Sequence, residues 1–382
     1  MFNSYAFDAE EGRYYLSEMI YQDPTTIDFS SQDYYICSAG TNVTATNRLL
    51  PYNTTNCTTM YQISGYTGSA SATVTGLDGT SYPATRYSFT RSRIYNQTEL
   101  ESDKSDKGLY DMQDDYGTSY YYRGSVNNNY VQFAGYYWRI IRINGDGSIR
   151  LLYAGTTKDA TGESTQIGTS KFNSTRNLPL YVGYMYGDIN GTTSDEVNAN
   201  TNHSTIKSYL DSWYSTNLSE YANYIADLGF CNDRTLATRS NNGNGVQTDK
   251  TTYYAAYDRY YTNSKPSLVC PNAKNDLFTV NNIDGNLALT YPIGLITVDE
   301  LMMAGYKNNS LNKLAYPYNN HTYWTISPTI TGGVFALYET GDLYNRWLDY
   351  EASVMPVINL NSDVEIAGGI GTQNEPFVVK TT

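Results

Sequence analysis

The chain has 382 residues and a formal net charge of −13, from 25 Lys and Arg against 38 Asp and Glu. That length accommodates two or three domains, and an acidic chain without basic clusters argues against nucleic acid as a partner, because phosphates must be neutralised by grouped cations. Hydrophobic residues make up 40%, but 41 of them are Tyr, which leaves roughly 29% conventionally apolar; tyrosine is expected to build much of the core, and this favours antiparallel sheet over a helical bundle.

In chain order, residues 1–22 predict a leading helix, with Tyr15, Leu16, Met19 and Ile20 on one side before Asp23-Pro24 ends it. Residues 23–98 are Thr, Ser and Tyr rich with glycine punctuation, as in Ala72-Thr73-Val74-Thr75, and predict a small β-rich domain. The polar run 99–107 is expected to be a linker, and a larger domain occupies 108–382.

The four cysteines contain no CxxC and allow three pairings. Sequential bridges, Cys37–Cys57 and Cys231–Cys270, each close a local loop and are the expected pair. With no stretch of 18 apolar residues, the chain as given is expected neither to span a membrane nor to carry a leader. Bridged cysteines and scarce Lys and Glu point to an extracellular or cell-surface setting.

Within the larger domain, 120–124 predicts a strand, and 136–143 with 148–153 a hairpin whose Asn144-Gly145-Asp146-Gly147 tetrad supplies the positive φ angles of a tight turn. Asp146 is one carboxylate between two strands, so the segment reads as a turn and not as a calcium loop. Ile206, Leu210 and Trp213 recur at helical spacing behind a Ser204 or Thr205 cap. Leu218, Tyr221, Ile225 and Leu228 predict a second short helix closed by Gly229. Trp213 lies on the apolar stripe and is assigned to the core.

Residues 237–266 form a long polar excursion between Cys231 and Cys270. Residues 293–296 predict a buried strand, and Thr297 with Glu300 a capping box that opens a helix over 301–304, stopped by Gly305. Strands are expected at 323–327, 333–338, 343–347, 354–360 and 376–379.

The runs Gly135-Tyr136-Tyr137-Trp138-Arg139-Ile140-Ile141-Arg142, Gly294-Leu295-Ile296-Thr297, Tyr323-Trp324-Thr325-Ile326-Ser327-Pro328 and Pro356-Val357-Ile358-Asn359-Leu360 resemble a large, mostly uncharacterised family of surface proteins from Gram-positive gut bacteria. The resemblance covers roughly residues 108–382. It implies a C-type-lectin-like domain of antiparallel strands with a few short helices over that span; with the β-rich domain and leading helix read from the residues before it, the expected fold class is α+β. That scaffold is similar to formylglycine-generating enzymes and to variable proteins of diversity-generating retroelements. The enzyme branch requires paired cysteines near the carboxyl end, and none follows Cys270. Calcium-dependent sugar binding uses a Glu-Pro-Asn type loop, and Asn374-Glu375-Pro376 does not match it.

In retroelement-diversified members, ligand-facing residues lie between the Trp-x-x-Ser-Pro-like strand and the Pro-Val-Ile-like strand. The matching interval, 329–353, contains Tyr338, Glu339, Tyr344, Asn345, Arg346, Trp347, Asp349 and Tyr350. Rings offer contact area at small entropic cost, and Asn, Asp and Arg orient a polar partner.

The expectation is therefore a non-catalytic, adhesin-like binding protein for a host or neighbouring-cell protein or glycan, with no cofactor and no metal. The rival is a structural subunit that self-associates into a pilin-like filament. Catalysis by Asp114/Asp115 or Asp299/Glu300 is the weakest reading, since adjacent carboxylates diverge and nothing sets their separation. His203 and His321 sit in Asn- and Thr-rich surroundings that do not suggest a poised imidazole.

Overall fold

The computed structural model describes residues 110–369 and 371–381 in full, and the backbone alone of 107–109 and of short strands between Ile27 and Tyr95. The expected helix at 1–22, the Cys37–Cys57 pair and residues 99–106 lie outside the described residues. Within 27–95 the described backbone is extended, and Gly68–Thr75 pairs with Ser81–Ser88 in one unbroken antiparallel register. Lys107 is not linker but the first residue of a strand, which takes Ile94–Tyr95 as a parallel neighbour.

From Lys107 onward the described chain is mixed α+β, with mostly antiparallel strands and a few short helices. Its first sheet is built on β1 (Lys107–Asp114), β2 (Gly117–Gly124), β3 (Tyr130–Phe133), β4 (Tyr136–Ile143) and β5 (Ile149–Gly155). Long β4 serves two partners on one side, β3 through Tyr136–Arg139 and β2 through Arg142–Ile143, while β5 pairs along the other. The second sheet runs in the order β6 (Thr169–Lys171), β10 (Glu351–Ser353), β7 (Tyr323–Ile330), β8 (Gly333–Leu337), β9 (Leu343–Trp347). Back in the first sheet, β11 (Val357–Leu360) joins β5, and β12 (Ile366–Gly368) joins β13 (Phe377–Val379), which lies parallel to β3.

The predicted hairpin is present. Asn144 and Ser148 close it, and Gly147 takes the left-handed backbone at φ +89°. Gly147 is the single positive-φ residue of the tetrad. Gly145 is needed for space instead, because a Cβ there would stand 2.3 Å from the backbone nitrogen of Gly117. Asp146 accepts hydrogen bonds from Ser148 N and Oγ at 2.9 and 2.8 Å, as a turn residue does.

Ser204 caps the helix Thr205–Asn217 by accepting from Lys207 N, and the helix buries Ile206, Leu210 and Tyr214. Trp213 is half-buried and packs its ring 5.5 Å from Tyr136 and 5.8 Å from Tyr153, so it belongs to the core edge. The helix expected over 218–228 is cut short. A 3-10 turn spans Ser219–Tyr224, after which Ile225 bridges Leu360 and Ala226 N donates to Asn359 O. Tertiary pairing with the end of β11 thus overrides the helical period, and Gly229 caps nothing.

Residues 293–296 are buried as expected, but instead of a strand they form an isolated bridge at Gly294↔Val357, with a further bond from Ile326 N to Ile296 O. The capping box at Thr297 and Glu300 opens Val298–Met303, and Gly305 follows at φ +119°. Cys231 and Cys270 form the predicted disulfide, 39 residues apart.

Tyrosine does build the interior. Tyr110, Tyr121, Tyr184, Tyr214, Tyr260, Tyr306 and Tyr323 are among the largest fully buried side chains, beside Trp138 and Trp324. Many hydroxyls find carbonyls, as Tyr184 does at Ile293 O (3.1 Å) and Tyr254 at Pro179 O (3.1 Å). One continuous cluster spans both sheets and the Thr205–Asn217 helix, and it reaches the edge strand β9 of the second sheet through Leu343.

Candidate functional site

Strands β8 and β9 form a hairpin in register from Gly333↔Trp347 to Leu337↔Leu343. Its turn is closed by Gly341 at φ +88° and by the pair Tyr338 N to Asp342 O. All five residues of β8 are buried, whereas β9 is the sheet edge and reads buried, exposed, intermediate, intermediate, exposed. The pleat sets Tyr344 and Arg346 on one side of β9 and Asn345 and Trp347 on the other.

Two arginines organise the rings. The guanidinium carbon of Arg346 lies 5.8 Å from the Tyr338 ring centroid and 5.9 Å from that of Tyr350. Arg346 also donates to the carbonyl of Glu351, which anchors its far end. Arg176, on the loop after β6, places its carbon 4.9 Å from the Trp347 ring and 5.6 Å from Tyr350, while its Nη1 lies 3.4 Å from Asp349 Oδ1. Tyr350 therefore stands between both cations. Cation–π contacts of this kind hold ring and guanidinium planes together at modest energy.

Tyr344, Trp347 and Tyr350 are 58%, 36% and 49% exposed, and they are the only exposed aromatic residues among those described. The other predicted site residues have structural work. Asn345 turns inward, where its Oδ1 accepts from Thr329 Oγ1. Tyr338 is half-buried and donates to Asn345 O at 3.1 Å; burial raises its pKa, against the lowering pull of Arg346. Glu339 accepts from Thr322 Oγ1 at 2.5 Å through its carboxylate and from Tyr318 OH at 2.7 Å through its carbonyl. Asp349 is occupied with Arg176. The set that reaches solvent wraps the edge strand, with Tyr344 and Arg346 on one side, Trp347 and its partner Arg176 on the other, and Tyr350 beyond the strand end within reach of both guanidiniums. Sequence reading had no signal for Arg176, which is distant in the chain and flanked by ordinary loop residues.

Of the carboxylates considered for catalysis, Asp114, Asp299 and Glu300 are tied into ion networks. Asp114 Oδ2 meets Arg142 Nη1 at 2.7 Å, and Glu300 Oε1 meets Arg142 Nε at 3.2 Å and Arg150 Nε at 2.5 Å. Asp299 is held bidentately by Arg259 at 2.7 and 2.8 Å, and Asp115 accepts from Cys270 N at 3.0 Å. Burial pushes the Glu300 carboxyl up, but Arg150, then Arg142 and the backbone of Thr297, outweigh it and hold the pKa below the usual value. These groups pin β1, β4, β5 and the Val298–Met303 helix to one another.

Among the described residues no group of three His, Cys, Asp or Glu is arranged to hold a metal ion, and no helix is long and apolar enough to cross a membrane. No family model, curated protein or solved structure matches the chain.

Proposed function

We propose that the protein is a non-catalytic, extracellular binding module on a C-type-lectin-like scaffold, akin to the gut-bacterial surface family its motifs resemble. It grips a protein or glycan on another cell through Tyr344, Arg346, Trp347, Tyr350 and Arg176. The observation that carries this reading is the confinement of all exposed aromatic residues, among those described, to positions 344–350. A chain that buries its other described tyrosines wholly or partly but leaves these three rings in water spends folding energy on a surface that favours contact. The flanking guanidiniums keep the rings ordered before binding, which lowers the entropic cost of association. The Cys231–Cys270 bridge supports an oxidising compartment.

The test is retention of target cells or of arrayed glycans by the wild type and by a Tyr344→Ala, Arg346→Ala, Trp347→Ala triple variant. Loss of retention on cells or neutral glycans with an unchanged far-ultraviolet circular dichroism spectrum and melting temperature supports the reading, and retention on them by the triple variant refutes it. A filament subunit is favoured by one feature, the position of β9 at an open sheet edge. Sedimentation velocity separates the two: a concentration-independent monomer speaks for the binding module, ordered polymers for the subunit.

A further inference from the structure

The arginines drawn into the interior have acidic partners. Arg142 meets Asp114 and Glu300, Arg150 meets Glu300, Arg234 meets Asp276, and Arg259 meets Asp233 and Asp299. Arg139 is the exception. Its Nε donates to Asn129 Oδ1 at 2.7 Å and its Nη2 to Val126 O at 2.8 Å, and the carbon of the guanidinium lies 3.9 Å from the Tyr130 ring and 5.4 Å from the Tyr316 ring. Every one of these partners is neutral, and Arg139 makes no ion pair among the described residues. Burial lowers its pKa, opposed only by the neighbouring tyrosines. Arg139 is partly buried and keeps one side open to solvent; a cation drawn largely out of water without a counter-charge is costly to the fold, and an anion bound at that open side would offset the cost.

Space for one is present. Arg139 lines a groove of about 440 Å³ between the β4–β5 hairpin and the loop 316–320. No Asp or Glu lines this groove although the whole chain carries −13, and Lys158 supplies a second cation at the rim. Asp159 lies near, 3.4 Å from Gln373, but does not line it. The walls are tyrosine rings, Tyr137 and Tyr318 among them, with amides from Asn320 and Gln373. Rings that stack on a flat C–H face and amides that meet hydroxyls are the chemistry of sugar recognition, and the volume suits a mono- or disaccharide.

We infer that this groove is a second binding site, distinct from the 344–350 face, and that it takes a carboxylate-bearing sugar whose anion lies against Arg139 and Lys158. Two cations in a groove that no Asp or Glu lines select the carboxylate, and the tyrosine walls select the ring.

Titration calorimetry on the full chain, with sodium glucuronate and sodium N-acetylneuraminate as probes and glucose and sodium sulfate as comparators, tests this. At least one acidic sugar is expected to bind about tenfold tighter than glucose and than sulfate, and to weaken as salt rises. Lys158→Ala and Tyr137→Leu, both at the groove wall, are each expected to weaken it about fivefold to tenfold. A Tyr344→Ala, Trp347→Ala variant is expected to bind the sugar as the wild type does, which keeps this site separable from the other face. Arg139→Gln is expected to abolish binding; since Arg139 also ties Asn129 and Val126, a variant that does not fold is set aside and Lys158→Ala decides. Binding of neither acidic sugar, equal affinity for glucose, equal affinity for sulfate, or indifference to Lys158→Ala would each overturn the inference.

Discussion

The guanidinium of Arg176 stands 4.9 Å from the centroid of the Trp347 ring, which joins a loop behind β6 to the end of the edge strand β9. Both side chains are partly exposed, so the contact contributes little to stability, about 0.5–1 kcal/mol. Its larger effect is on order. Arg176→Ala is expected to shift the melting temperature only slightly, to lower the fluorescence anisotropy of a Trp347 probe, and to weaken target retention more than stability. Unchanged retention would remove Arg176 from the binding face.

Glu300 serves two buried arginines and caps its own helix through Thr297 N at 2.9 Å. Replacing one partner in such a network leaves uncompensated charge, and Glu300→Gln is expected to cost about 3–5 kcal/mol in urea unfolding at pH 7.

The sign of the pH effect follows from the same group. Its folded pKa lies below the ordinary glutamate value of 4.5, so its stabilisation is complete above that value and is lost as pH falls through the folded one. The stability gap between wild type and Glu300→Gln is therefore expected to be constant above about pH 5 and to narrow in acid. A gap that widens in acid would contradict the geometry.

Two tyrosines at the same depth predict opposite outcomes on loss of the hydroxyl. Tyr323 donates to Pro317 O at 3.1 Å, whereas the Tyr306 hydroxyl is buried without a hydrogen-bond partner among the described residues. Tyr323→Phe is expected to cost about 1 kcal/mol, and Tyr306→Phe to be neutral or stabilising. Thermal melts of the two variants side by side measure the difference.

Reduction of Cys231–Cys270 frees a loop of 39 residues in sequence separation. The expected loss is about 2–4 kcal/mol, read as a lower unfolding midpoint in reductant. A midpoint that does not move would mean that the strand pair Phe230–Cys231 with Leu277–Phe278 already closes the loop unaided.

What was legible in sequence was local. The hairpin at Asn144 to Ser148 and the box at Thr297 and Glu300 are spelled by residues within five positions of each other, and both are present. The second task of Glu300 was not legible, because Arg142 and Arg150 reach it from strands far back in the chain. The helix expected to run to Leu228 failed for the same reason, since Asn359 and Leu360 claim the backbone of Ala226 and Ile225. At the face, the interval that the resemblance singled out contained Tyr344, Trp347 and Tyr350, all of which are exposed. Whether a polar neighbour turns out or in depends on strand register, and register sent Asn345 to Thr329. Arg139 passed as one more residue of an apolar strand, because a missing counter-ion is visible only when the neighbours are in place.

The parallel pairing of β13 with β3 bears on how the chain reaches this state in the cell. During synthesis β3 emerges long before its neighbour exists, and its outer edge stays uncovered until Phe377–Val379 leave the ribosome. Closure over so long a separation is slow, so nascent domains queue with an adhesive rim. A short deletion at 377–379 would leave every mature chain in that vulnerable condition.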